Sequence, residues 1–226
     1  MPAASPSARY FDHGAFLWNF ADEVLVRCIR CDAPGVTRTL PDSACRRASF
    51  ECASCRLSLT SGQGDWVGPV AYVGRRSCAH CGHQWLKAEW LEDAFPHAVH
   101  EEVQVTCPAC SHDSTVTLKA ERRVPHERSI DPHFGLPLLL LASTRHGQVW
   151  AYNVRHLSEL RSYIAAKLRE RRGGGNSTMF SRLPAWMKAA KHRSELLKTL
   201  SRLSALSAAN PVEQIAGEPR EKGADG

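Results

Sequence analysis

No stretch of this sequence stays apolar for long. The longest such run, Leu136–Ala142, is far shorter than the ~18 residues needed to cross a bilayer, and with Pro137 inside it reads as a buried strand. A secretion signal is missing as well: Arg9, Asp12, His13 and Asp22 interrupt the region where its apolar core would lie, so a cytoplasmic protein is expected. Catalytic signatures are equally scarce. There is no nucleophile elbow, kinase set or dinucleotide fingerprint, and the glycine run at 173–175 lacks the Gly-Lys-Ser/Thr of a phosphate loop. His97, His100, Glu101 and Glu102 invite comparison with a metal hydrolase but lack the His-Glu-x-x-His helical spacing. These absences favour a non-enzymatic protein with no small-molecule substrate; a hydrolase built on the histidine-rich middle is the weakest alternative. With 226 residues, 43% hydrophobic and 23% charged, the chain is long enough for one or two folded domains.

The chain is not short of cysteine. Eight of its nine cysteines form four Cys-x-x-Cys pairs, Cys28/Cys31, Cys52/Cys55, Cys78/Cys81 and Cys107/Cys110. Thiols at this spacing make strained small-loop disulfides but good metal knuckles, and two knuckles complete a tetrahedral four-thiolate site. Twenty residues separate the first two knuckles and twenty-five the last two, both near ribbon spacing. Sequential pairing needs the shortest loops and is preferred; crossed and nested pairings are the alternatives. Two structural Zn2+ ions are therefore expected. Four thiolates leave no position for water, so neither ion would be catalytic. His83 and His112 follow the knuckles of the second unit and are read as neighbours of the site, with substitution for a cysteine as the alternative. Arg75 and Arg76 either donate to the thiolates or face solvent. Cys45 has no partner at knuckle spacing and is read as a spare thiol.

Charge is unevenly spread beneath a net +6. Residues 1–150 hold 15 Lys/Arg against 16 Asp/Glu, whereas 151–207 hold 12 against 3, a net of +9. A helix is expected from Val154 to about Arg172 behind an Asn153 N-cap, with Leu157, Leu160, Ile164 and Leu168 on one stripe. A second is expected from Ser181 to about Leu206, with Pro184 in its first turn. On that second helix Lys188, Lys191, Lys198 and Arg202 share one sector, while Leu183, Ala190, Leu197 and Leu200 fall opposite. Such a row can track phosphates; the alternative is a solvated face with Glu195 pairing to Lys198. Arg169 and Arg172 join the phosphate-contact candidates, although they also suit a helix C-terminus. Trp186 and Met187 are read as core rather than as inserting groups.

The knuckles Cys78-Ala79-His80-Cys81-Gly82-His83 and Cys107-Pro108-Ala109-Cys110 resemble zinc ribbons of the transcription-factor-IIB type. Segments Val149–Asn153 and Ser181–Lys188 are similar to a group of uncharacterised bacterial proteins that carry such a ribbon. The resemblance implies zinc and a ribbon fold, and ribbons serve DNA, RNA and protein binders alike.

The reading is thus a small, metal-stabilised α+β protein. An aromatic-rich segment (1–22) precedes zinc ribbon 1 (23–62) and zinc ribbon 2 (63–124), both of short antiparallel strands, with a turn at Gly74. A connector and β-hairpin (125–152), turning at Arg145-His146-Gly147, leads to a basic two-helix region (153–207) with a Gly-rich linker (173–177). A disordered tail (208–226) follows. Zinc is expected to supply most of the stability of the core-poor ribbons, on the order of 10 kcal/mol per site. Nucleic acid, DNA first, is the expected partner; a protein partner on the helices or the aromatic segment is the rival.

Overall fold

The computed structural model describes residues 9–40, 47–93, 95–123, 129–171 and 178–211. Cys45, Arg172, the linker at 173–177 and the tail beyond 211 lie outside them. In chain order, β1 (Arg9–Asp12) and a short 3-10 turn (Leu17–Phe20) lead to β2 (Glu23–Arg27), β3 (Pro34–Thr39), β4 (Ala48–Glu51) and β5 (Ser58–Thr60). Next come β6 (Val70–Arg76), β7 (Leu86–Glu92), β8 (Glu102–Thr106), β9 (Asp113–Thr117) and β10 (Lys119–Arg122). The chain continues through β11 (Leu141–Thr144), β12 (Gly147–Trp150), α1 (Val154–Ala165) and β13 (Leu168–Arg171). It ends in α2 (Ala185–Lys188), a 3-10 turn (Ala190–His192) and α3 (Arg193–Ala208).

These elements divide into two compact units. Described residues up to Gly64 belong with those from Leu136 onward, and Asp65–Gly135 form the second unit. The first ribbon and the C-terminal region, separate blocks in the sequence reading, are therefore parts of one body. In the first unit β2–β5 form an antiparallel sheet in chain order. Val24, Leu25 and Val26 of β2 are all buried, which a two-sided ribbon strand cannot achieve alone. Cover comes from the C-terminal half: the Leu25 N–H donates to the Tyr152 carbonyl and its own carbonyl accepts from Leu139, both at 2.8–2.9 Å. Asn153 caps α1, accepting from the His156 N–H, and its amide donates to the Phe20 and Glu23 carbonyls. Leu157, Leu160 and Ile164 of α1 and Leu196, Leu200 and Leu203 of α3 are buried where the two helices pack together. The first ribbon, expected to be core-poor, therefore shares the apolar core of the first unit.

Three further expectations are corrected here. First, α1 ends at Ala165, because 168–171 pair in parallel with β1 rather than adding helical turns. Leu168, placed on the buried stripe by periodicity, is 54% exposed. Second, the long helix from Ser181 is broken. Ala189 is extended (φ −74, ψ 129), which separates α2 from the 3-10 turn and α3. The Lys188 carbonyl that a continuous helix would spend on His192 accepts instead from Arg169, while the His192 N–H donates to Ala189. Pro184 sits at the N-cap of α2. Third, Gly74 lies within β6 rather than at a turn. A β-carbon there would meet the Thr117 carbonyl oxygen at 2.5 Å, so the strand needs glycine for close approach.

The second unit has two small sheets, β10–β6–β7 and the hairpin β8–β9. Its core includes two small clusters. One contains Trp66, Val70, Tyr72 and Leu118; the other contains Leu86 and Val116 together with Cys78 and Cys107. Among the described residues no helix is long and apolar enough to cross a membrane.

Candidate metal centres and basic surface

All four knuckles are built by one turn. In each, the first cysteine's N–H donates to the carbonyl five residues on, and its carbonyl accepts from the N–H four residues on. The residue just after the second cysteine is left-handed every time: Asp32 (φ 58), Arg56 (φ 62), Gly82 (φ 73) and Ser111 (φ 60). Only one of the four is glycine, so this signal was not visible in the sequence. The turn aims both sulfurs the same way. The first cysteine of each knuckle is buried, and the second lies nearer the surface.

The knuckles assemble in sequence order, Cys28, Cys31, Cys52 and Cys55 in the first unit and Cys78, Cys81, Cys107 and Cys110 in the second. Sulfur separations are 3.5 Å for Cys28–Cys55 and 3.6 Å for Cys31–Cys52. They are 3.7 Å for both Cys78–Cys110 and Cys81–Cys107. These distances are far too long for disulfides. They match the edge of a tetrahedron around one ion at a Zn–S distance of about 2.3 Å, which is about 3.8 Å. Two four-cysteine clusters compatible with two metal ions are therefore present.

The surroundings lower some of these thiols and raise others. Cys55 and Cys78 go down, whereas Cys31 and Cys110 are raised to about 12, the backbone N–H groups that donate to them being outweighed by burial and the neighbouring thiols. N–H groups of Cys81 and His80 donate towards Cys78 and, with the Ser114 hydroxyl at 3.8 Å, push its thiol down to about 5. The Leu57 N–H holds Cys55 at about 7. Burial pushes Cys28 the other way, which a bound cation would offset. The ligand sets contain cysteine alone. His112 instead stacks on His80 at 3.7 Å, bridging the two knuckles, and its Nδ1 lies 3.0 Å from the Cys110 carbonyl. The His83 carbonyl accepts from the Cys78 N–H. Arg75 lies over the Trp85 ring, and Arg76 donates to the Thr115 and Ser77 carbonyls rather than to sulfur. His97, His100, Glu101 and Glu102 form no ligand cluster among the described residues.

The basic candidates separate into two groups. Arg169 donates to the Tyr163, Ile164 and Lys188 carbonyls and covers the Tyr163 ring at 4.4 Å. Together with Arg193, which donates to the Ile164 and Ala166 carbonyls, it satisfies the C-terminal carbonyls of α1. Lys188 donates to the Ser181 carbonyl at 2.7 Å. Both are held in these internal contacts, and the break at Ala189 removes the single helical face expected to align Lys188 with Lys191, Lys198 and Arg202. Lys191, Lys198 and Arg202 are exposed. Lys198 and Arg202 line a groove of about 500 Å³ between β11 and α3, together with Arg145, Glu195, Ser143, Thr144 and Thr199. Arg145 comes from the hairpin turn, and sequence reading missed its place beside α3. Glu195 pairs with Arg145 at 3.1 Å rather than with Lys198. Trp186 is packed over Gly147 and Met187 is buried.

Comparison with known proteins finds no family model, no curated protein and no solved structure that matches this chain.

Proposed function

We propose that this is a non-enzymatic zinc protein, of the ribbon type its knuckles resemble, that binds nucleic acid through its C-terminal region. In this reading the two four-cysteine centres hold zinc as a structural ion. Soft thiolates select it, and four of them leave no open position for chemistry. The phosphate contacts fall to Arg145, Lys198 and Arg202, with Lys191 nearby, rather than to Lys188 and Arg169. The observation that carries the proposal is the groove between the hairpin and α3, where three cations face a single carboxylate, Glu195. Cations so gathered from two elements follow a phosphate backbone better than dispersed surface lysines do.

The test is fluorescence anisotropy of labelled duplex and single-stranded DNA and of RNA, titrated at several salt concentrations. Affinity should fall by orders of magnitude as salt rises, and the triple change R145Q, K198Q and R202Q should flatten the slope by about three ions. Salt-insensitive binding, or an unchanged slope in the triple variant, would remove the proposal.

A second reading has one observation of its own. Phe16 and Trp18 are about half exposed in the N-terminal aromatic segment, a surface on which a protein partner can dock. It predicts association that survives high salt and fails in F16S/W18S.

A further inference from the structure

We infer a third metal site, separate from the cysteine clusters, held by His146, His192 and Glu195. The three come from different parts of the fold: His146 from the turn joining β11 to β12, His192 from the 3-10 turn before α3, and Glu195 from the first turn of α3. One ligand atom from each lies within 4.8 Å of the others. His146 Nε2 is 3.9 Å from Glu195 Oε2, and the two imidazole rings are 3.9 Å apart at an interplanar angle of 53°.

A second observation is independent of this grouping. His192 Nδ1 is shielded from solvent and has no hydrogen-bond partner. An orphaned ring nitrogen is costly, and buried polar atoms in folded proteins are nearly always satisfied. A cation between the rings would give this imidazole the partner it lacks.

The chemistry of the donor set narrows the ion. Two imidazoles and one carboxylate suit zinc and neighbouring divalent transition ions, not calcium or magnesium, which prefer all-oxygen shells. With three protein ligands the shell is open, unlike the closed four-thiolate centres, so water or an anionic oxygen completes it. Arg145 bridges these groups, donating to His146 Nε2 at 3.0 Å and to Glu195 at 3.1 Å. Its side chain is 72% exposed, so it can turn to solvent when an ion enters. Glu195 is shared between this site and the basic groove. Metal binding would therefore free Arg145 and remove the groove's one carboxylate charge.

The full-length protein, with both cysteine clusters filled with zinc, is mixed with one equivalent of Co2+. The inference predicts weak visible ligand-field bands and no near-ultraviolet thiolate-to-cobalt charge-transfer band. H146A, on an exposed turn, should weaken cobalt binding more than about tenfold, and E195Q should weaken it as well. Three outcomes overturn the site: no cobalt spectrum in the wild type, a thiolate charge-transfer band, or full binding retained by H146A. The wild-type measurement decides even if H192A fails to fold, and none of it depends on nucleic-acid binding.

Discussion

Arg169 holds the carbonyl of Lys188 at 2.7 Å, joining the strand after α1 to the end of α2. The same guanidinium donates to the Tyr163 and Ile164 carbonyls, so one side chain closes α1 and stops α2. Arg169→Ala should therefore cost about 2–3 kcal/mol of stability, because it strands several carbonyls at once. Its effect on the salt dependence of nucleic-acid binding should be nil. Urea denaturation and anisotropy titrations of the same preparation check both halves, and a stable variant with a reduced salt slope would contradict the assignment.

The left-handed residue after each knuckle gives a sharper stability test. Ser111 at φ 60 pays a steric cost that Gly82, at the same place in its own knuckle, avoids. Ser111→Gly should stabilise the second unit by about 0.5–1 kcal/mol, and Gly82→Ala should destabilise it by about 1 kcal/mol. No atom lies within 4 Å of the position of an added β-carbon at Gly82, so backbone strain alone is measured. Thermal denaturation in excess zinc reads both, and shifts of the same sign would refute the turn.

The cysteine pairs were legible because metal geometry is local: two thiols on one tight turn need no knowledge of the rest of the chain. The strands flanking the knuckles, the Asn153 cap and the hairpin across Arg145 were legible for the same reason. What failed was periodicity carried past a tertiary contact. Leu168 continues the apolar stripe of α1, yet its backbone pairs with β1. Lys188 continues the basic sector, yet its carbonyl belongs to Arg169 and its ammonium to Ser181. Arg145 and Glu195 lie 50 residues apart in sequence, and no short-range pattern brings them together.

Metal removal should separate the two units. The first has an apolar core around β2, α1 and α3 that does not include its metal ligands alone. In the second, Cys78 and Cys107 are themselves members of a small core cluster with Leu86 and Val116. Chelation should thus unfold Asp65–Gly135 while α1 and α3 keep their protection. C107S should lose one metal ion per chain and reproduce that pattern. Hydrogen exchange followed by mass spectrometry distinguishes this from uniform loss of protection, which would show that both units depend on metal to the same degree.

His156 makes the first unit acid-sensitive. Its ring is buried, stacks on Phe20 at 5.1 Å, and accepts at Nδ1 from the Tyr152 N–H. Burial lowers its pKa from 6.5 to about 3. The unfolded chain therefore takes up a proton below pH 6.5 that the folded chain refuses until about pH 3. Stability from the neutral ring is complete above pH 6.5 and falls by about 1.4 kcal/mol per pH unit below it. Thiolate protonation also weakens the protein in acid, so a comparison is needed. His156→Gln cannot titrate; it should be less stable than the wild type at pH 7.5 by about 1–3 kcal/mol, and the gap should narrow as pH falls. Urea midpoints in excess zinc at pH 7.5, 6.5 and 5.5 measure it. A constant gap, or ring carbon resonances of His156 that titrate near pH 6.5, would show that the imidazole is not held neutral by the fold.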